Sequence, residues 1–140
     1  MYSKQETFNR VATHLLTQSK KCQTLGGSCR YRENDMSCAA GCLLTDRTYN
    51  KEFEGNTVAE ILNDFRTDWF GHNAQLVCEL QDVHDDFFVD EWKHALKQCA
   101  DRHKLDSSIL KQFRRRGDKY TRIEKPRWGT FRAKSKKARS

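Results

Sequence analysis

The sequence predicts an α+β fold: a mostly helical single domain of four to five helices, with one small β-hairpin at about residues 28–44. Three observations carry this. Apolar residues recur at helical spacing in several separate stretches. One stretch, Ser28 to Leu44, instead alternates small or apolar with polar residues around a polar turn. At 140 residues the chain suits one domain that buries a core without staples.

The first helix is the clearest element. Ser3 and Glu6 give the S-x-x-E pattern of a capping box, in which each side chain answers a free backbone N–H. Phe8, Val11, Ala12, Leu15 and Leu16 then form one apolar stripe, which ends near the basic pair Lys20-Lys21. Gly26-Gly27 breaks the chain. In the hairpin, Glu33-Asn34-Asp35 supplies the turn, and the small-residue run Met36 to Leu44 supplies the return. A polar loop, Arg47 to Asn56, follows. Asn56 is expected to cap a helix bearing Val58, Ile61, Leu62 and Phe65. Asn73 is expected to cap a third, with Leu76, Val77, Leu80, Val83 and Phe87, and Asp90 a fourth, with Trp92, Leu96, Cys99 and Ala100. A last apolar segment, Ser107 to Arg116, turns fully basic.

Charge divides the chain. The net charge is +7, yet residues 111–140 hold 13 Lys/Arg against 2 Asp/Glu, a net of +11. The first 110 residues therefore net −4, the difference between +7 and +11. The expected organisation is a compact acidic body over residues 1–110 and a basic C-terminal tail over 111–140. Within the tail, Arg114, Arg115, Arg116, Lys119, Arg122, Lys125, Arg127, Arg132, Lys134, Lys136 and Lys137 are interleaved with Tyr120, Trp128 and Phe131. Cations meet phosphates and aromatic rings stack on bases, so this pattern points to nucleic acid or a nucleoprotein machine. An acidic host protein surface offers the same charge complement. Met1 to Glu6 lacks a basic start followed by an apolar run, and no stretch approaches the roughly 18 apolar residues of a membrane span. The expectation is a cytoplasmic protein with no membrane partner.

In that compartment the six cysteines are expected to be reduced or metal-bound. Cys29, Cys38 and Cys42 cluster in the hairpin. Zinc takes four N or S ligands, so these three with one histidine would complete a site. His84 is the leading fourth ligand, ahead of His72 and Cys22. The spacing lacks the paired C-x2-C knuckles of strong zinc motifs, and buried thiols in a small-residue segment also serve as compact core residues. A catalytic alternative uses Cys38 or Cys42 as nucleophile, His84 as base and Asp85 or Asp82 to orient it. The glycines are too few and scattered for a phosphate-cradling loop. Glu79, Asp82 and Asp86 share one helix face, which reads as solvated, or as a mimic of phosphate charge, or as a dock for the chain's own basic tail.

Several of these residues also form a longer pattern: C-x-Y-R at Cys29, Tyr31 and Arg32; C-A-x-G-C-L at Cys38, Ala39, Gly41, Cys42 and Leu43; then Tyr49, Glu54-Gly55, and L-Q-x-x-H-D from Leu80 to Asp85. Over about residues 4–105 the chain resembles a family of small bacterial and phage proteins with this pattern. Thr45-Asp46 stands where the pattern has Pro-Asp. The resemblance implies a phage or bacterial origin, with host cytoplasm as the setting. It groups Cys29, Cys38, Cys42 and His84 but carries no mechanism. The function expected from all this is a non-enzymatic, phage-type binding protein acting through its basic tail. The alternatives are a protein-directed inhibitor or adaptor of a host system, and a small Cys/His enzyme.

Overall fold

The computed structural model describes residues 2–64 and 73–123. The described residues form a mostly helical α+β domain with two small antiparallel hairpins. Helix α1 spans Lys4–Gln18, α2 Val58–Asp64, α3 Ala74–Asp86 and α4 Trp92–Arg102. Strands β1 (Arg32–Glu33) and β2 (Met36–Ser37) form the first hairpin, and β3 (Phe113–Arg116) and β4 (Lys119–Arg122) the second.

The capping box of α1 is complete: the Ser3 hydroxyl accepts the Glu6 N–H at 3.1 Å, and the Glu6 carboxylate accepts the Ser3 N–H at 2.9 Å. Its apolar stripe is fully buried. The helix ends at Gln18, before the basic pair, because Ser19 turns left-handed with φ 52°. Thr57, rather than Asn56, caps α2. Its hydroxyl accepts the Glu60 N–H at 3.1 Å while Glu60 accepts the Thr57 N–H at 2.7 Å. Asn73 precedes α3 but spends its amide elsewhere, on the Tyr2 carbonyl at 2.7 Å and the Thr7 hydroxyl at 2.9 Å. Asp90 sits inside a 3-10 turn, Val89–Glu91, and makes no cap; Glu91 instead accepts the Phe88 N–H at 3.0 Å.

Two apolar clusters meet at α3. The larger joins α1, Leu76, Leu80 and Val83 of α3, the buried face of α4 from Trp92 to Ala100, and the C-terminal Leu110, Phe113 and Tyr120. The smaller gathers Cys22, Tyr31, Cys38, Ala40, Leu44, Phe53, Val58 and Ile61 against Val77. Burying each large side chain contributes about 1.5–3 kcal/mol.

The second hairpin lies where the sequence suggested only a tail. Gly117, at φ 63°, opens its two-residue turn, the position at which a type II′ turn takes glycine. Phe113 and Tyr120 are 1% and 5% exposed, so the compact unit reaches past residue 110, through Arg122. Tyr120 is anchored at both ends. Its N–H donates to the Ser19 hydroxyl at 2.8 Å and its own hydroxyl donates to the Val89 carbonyl at 2.8 Å. No helix among the described residues is long and apolar enough to cross a membrane.

Candidate functional site

The first hairpin does not bring its cysteines face to face. Its register pairs Arg32 with Ser37 and Glu33 with Met36, and the Cys38 N–H donates to the Tyr31 carbonyl at 3.1 Å. Cys38 is therefore opposite Tyr31, while Cys29 bridges back to Gln23. After Ser37 the chain leaves the strand and coils through a 3-10 turn at Gly41–Leu43. There the Cys38 sulfur accepts the Gly41 N–H at 3.3 Å, and the Cys42 thiol donates to the Ala39 carbonyl at 3.1 Å. Of the expected quartet, only Cys29 and His84 come together, joined by Asp85; the ligand atoms of these three lie within 4.8 Å of one another. His72 lies outside the described residues.

His84 is fully buried in α3 and stacks on Trp92 at 5.7 Å between ring centroids. Both ring nitrogens are in use. The Cys22 backbone N–H donates to Nε2 at 2.9 Å, which leaves the ring proton on Nδ1, facing Asp85 Oδ1 at 2.7 Å. Asp85 also accepts the Gln81 amide at 3.0 Å, and Gln81 in turn accepts the Ala40 N–H at 2.9 Å. One helix face thus clasps the 19–30 loop and the 38–43 turn at once.

The remaining pattern residues extend the same clasp. Glu54 accepts the Tyr31 N–H at 2.8 Å, the Arg32 N–H at 3.1 Å and the Tyr49 hydroxyl. Arg32 donates to Asp46 at 2.7 Å and to the Leu44 carbonyl at 2.9 Å, over the face of Tyr49. The Tyr31 hydroxyl donates to the Asn56 carbonyl. Thr45 uses its own N–H, donating to the Thr48 hydroxyl at 2.8 Å, a bond proline could not make. Beside this network, Cys29, Asp82, Asp85, Tyr31 and Cys78 line a cleft of about 500 Å³.

The thiols are not activated. Burial raises all six: Cys22 and Cys99 to about 11, Cys42 to about 12, with Cys29, Cys38 and Cys78 also above the usual range. A nucleophile needs the thiolate and a base to make it. The lone pair His84 would use as that base is held by Cys22. Iodoacetamide at about pH 7 should therefore modify the folded protein far more slowly than free cysteine. Cys38 and Cys99 should label only after denaturation. A fast-labelling thiol in the native protein, located by peptide mass spectrometry, would contradict this.

A second group of ligand-type side chains, Glu79, Cys99 and His103, also lies within 4.8 Å. Glu79 accepts from Arg102 Nε at 3.0 Å and sits 2.8 Å from His103 Nε2. Burial acts to raise the Glu79 carboxyl, but the hydrogen bonds from Arg102 and His103, together with the electrostatic pull of the same two side chains, outweigh it and hold it low. Of the acidic stripe, Glu79 thus pairs within the body, with Arg102 and His103.

A groove of about 660 Å³ lies between α4 and the second hairpin. Leu110, Phe113 and Tyr120 form its floor. Lys93, His94 and Lys97 stand on the α4 side, with Lys111, Arg114 and Arg115 on the other. Lys93 ties the two walls, donating to the Phe113 carbonyl at 2.7 Å. Arg114, Arg115, Arg116, Lys119 and Arg122 are all exposed. Arg115 approaches Asp90 at 4.0 Å, a surface pair of small energetic weight. Among the described residues no carboxylate lies within ion-pair distance of Lys111, Arg114, Arg116 or Lys119. Tyr120, expected to stack on bases, is instead a core residue. Lys125, Arg127, Trp128, Phe131, Arg132, Lys134, Lys136 and Lys137 lie outside the described residues. Sequence reading missed Lys93, His94, Lys97 and Lys111 as groove residues. Their signal was the i, i+1, i+4 spacing of Lys93, His94 and Lys97 on the polar face of α4.

Comparison with protein-family models, curated proteins and solved structures finds no match.

Proposed function

We propose that the protein is a non-enzymatic nucleic-acid-binding protein whose basic hairpin and adjoining α4 groove take the phosphate backbone. The observation that carries this reading is the convergence of basic side chains from two elements on one groove. Lys93, His94 and Lys97 come from α4, and Lys111, Arg114 and Arg115 from the C-terminal segment. Charge alone in a tail is generic. Cations held at fixed spacing along a groove by a buried Phe113 and Tyr120 give register as well as attraction.

The hairpin turn presents Arg116 and Lys119 beside it, so the positive surface continues past the groove. Basic residues beyond Ile123 would add further phosphate contacts of the same kind. The Cys29–His84–Asp85 region serves as scaffold in this reading, which accounts for its protonated thiol and fully engaged imidazole.

The test is polarisation of a short labelled duplex DNA and a single-stranded RNA, titrated with the full chain across a salt series. Binding should weaken steeply with salt. The triple change Arg114→Ser, Arg116→Ser, Lys119→Ser touches only exposed side chains and should leave folding intact. It should flatten the log K against log salt slope by about 2.7 on duplex if each cation meets one phosphate. Binding indifferent to salt, or a slope unchanged by the triple variant, would refute the proposal.

A further inference from the structure

The two groups of ligand-type side chains differ in what their imidazoles are already committed to. His84 Nε2 receives a backbone N–H, so a metal could enter only at Nδ1. That would drive the ring proton to Nε2 and point it at the Cys22 N–H, setting two donors against each other at a fully buried ring. His103 carries no such commitment. Its Nε2 faces Glu79 Oε2 at 2.8 Å, and a single proton occupies the space between them. A cation can replace that proton while Nδ1 takes the ring hydrogen.

We propose that Glu79, Cys99 and His103 form a divalent metal site of the zinc class. Cys99 and His103 stand four residues apart at the C-terminal end of α4, a spacing that puts both on one helical face. Glu79 reaches them from α3, which packs alongside. Arg102 holds Glu79 Oε1 at 3.0 Å, so the other carboxylate oxygen is turned toward His103. An outer partner gripping a ligand in this way fixes its orientation. The donor set is one sulfur, one nitrogen and one carboxylate oxygen. Sulfur selects zinc or a similar transition ion over magnesium or calcium. Three protein ligands leave a fourth tetrahedral position for water or a partner's side chain.

The dimensions suit the ion. Metal–ligand lengths of about 2.3 Å to sulfur and about 2.0–2.2 Å to nitrogen and oxygen put tetrahedral ligand atoms about 3.3–3.6 Å apart. The present 2.8 Å nitrogen–oxygen contact opens by about half an ångström, and the remaining ligand distances already fall within 4.8 Å. Binding releases the thiol proton to solvent and moves the imidazole proton from Nε2 to Nδ1; no electron changes hands. The ion would crosslink α3 to the end of α4, on helix positions separate from the Lys93, His94 and Lys97 side of the basic groove.

The experiment titrates the reduced full chain with Co²⁺ alone and then with Zn²⁺. One equivalent of cobalt should give a near-ultraviolet thiolate charge-transfer band with tetrahedral visible bands, and zinc should bleach both. His103→Gln, at a side chain only 9% exposed, should weaken cobalt binding by at least about 100-fold. Cys99→Ser should remove the charge-transfer band, and Cys29→Ser should leave it in place. His103→Gln carries the test should Cys99→Ser fail to fold. Absence of a band in the unmodified protein overturns the site, as does a band that survives His103→Gln or disappears in Cys29→Ser.

Discussion

His84→Ala should cost the fold about 3–5 kcal/mol, the largest loss expected from any single truncation in the 81–85 segment. The ring is fully buried, stacked on Trp92, and bonded at both nitrogens. Alanine removes the acceptor of the Cys22 N–H and the donor to Asp85, and it opens a cavity beside the indole. A buried unsatisfied donor alone costs about 1–3 kcal/mol, and cavity formation adds to it. Asp85→Asn is the informative contrast. It keeps a carbonyl oxygen to accept from His84 and Gln81, so its loss should be nearer 1 kcal/mol. Urea unfolding, followed by circular dichroism, gives both numbers from the midpoint at constant slope. Should His84→Ala lose less than Asp85→Asn, the ring is not the peg that joins α3 to the 19–30 loop.

That peg explains why the cysteine pattern invited a metal or catalytic reading. Thiols, an imidazole and a carboxylate are the parts of either kind of site, and a sequence reports the parts without their hydrogen bonds. The decisive facts are that a backbone N–H occupies His84 Nε2 and that strand register puts Tyr31, not Cys29, opposite Cys38. Neither is written in residue spacing. A two-residue strand pair leaves register to the turn, and Asn34 sets it by taking φ 56°. Local signals fared better. The S-x-x-E box and apolar stripe of α1 are both present in the structure because they act within one helix. The T-x-x-E box at Thr57 and Glu60 was equally visible, one residue past the Asn56 chosen as cap.

The C-terminal hairpin was hidden for a different reason. Only Phe113 and Tyr120 of its eight strand residues are buried, so no alternation marks it as a sheet. What holds it is tertiary: two rings seated on α1 and α4, the Ser19 hydroxyl under Tyr120, and Lys93 on the Phe113 carbonyl. Ser19 is available there because it adopts the left-handed cap of α1. A charge count that treats residues 111–140 as one basic block passes over these two anchors, and they turn part of that block into a shaped surface.

Gly41→Ala should be the most damaging single-methyl addition in the first hairpin region, at about 3 kcal/mol or more. A Cβ at Gly41 would stand 2.1 Å from the Tyr31 carbonyl oxygen and 3.0 Å from its carbon. The obstacle is backbone, and it cannot step aside. Tyr31 is fixed by the Cys38 N–H on its carbonyl, by Glu54 on its N–H and by Asn56 at its hydroxyl. Moving it breaks the hairpin or the Glu54 anchor, and moving Gly41 pulls its N–H from the Cys38 sulfur. The glycine is therefore required for close approach and not for conformational freedom. Gly55→Ala isolates that distinction. Gly55 has φ 85° with nothing within 4 Å of a built Cβ, so alanine there meets only the left-handed strain of about 1–2 kcal/mol. Paired urea titrations should place Gly41→Ala clearly below Gly55→Ala in stability. Equal midpoints, or the reverse order, would mean that the 38–43 turn relaxes away from Tyr31, and the tight Ala-Ala-Gly spacer would lose its physical explanation.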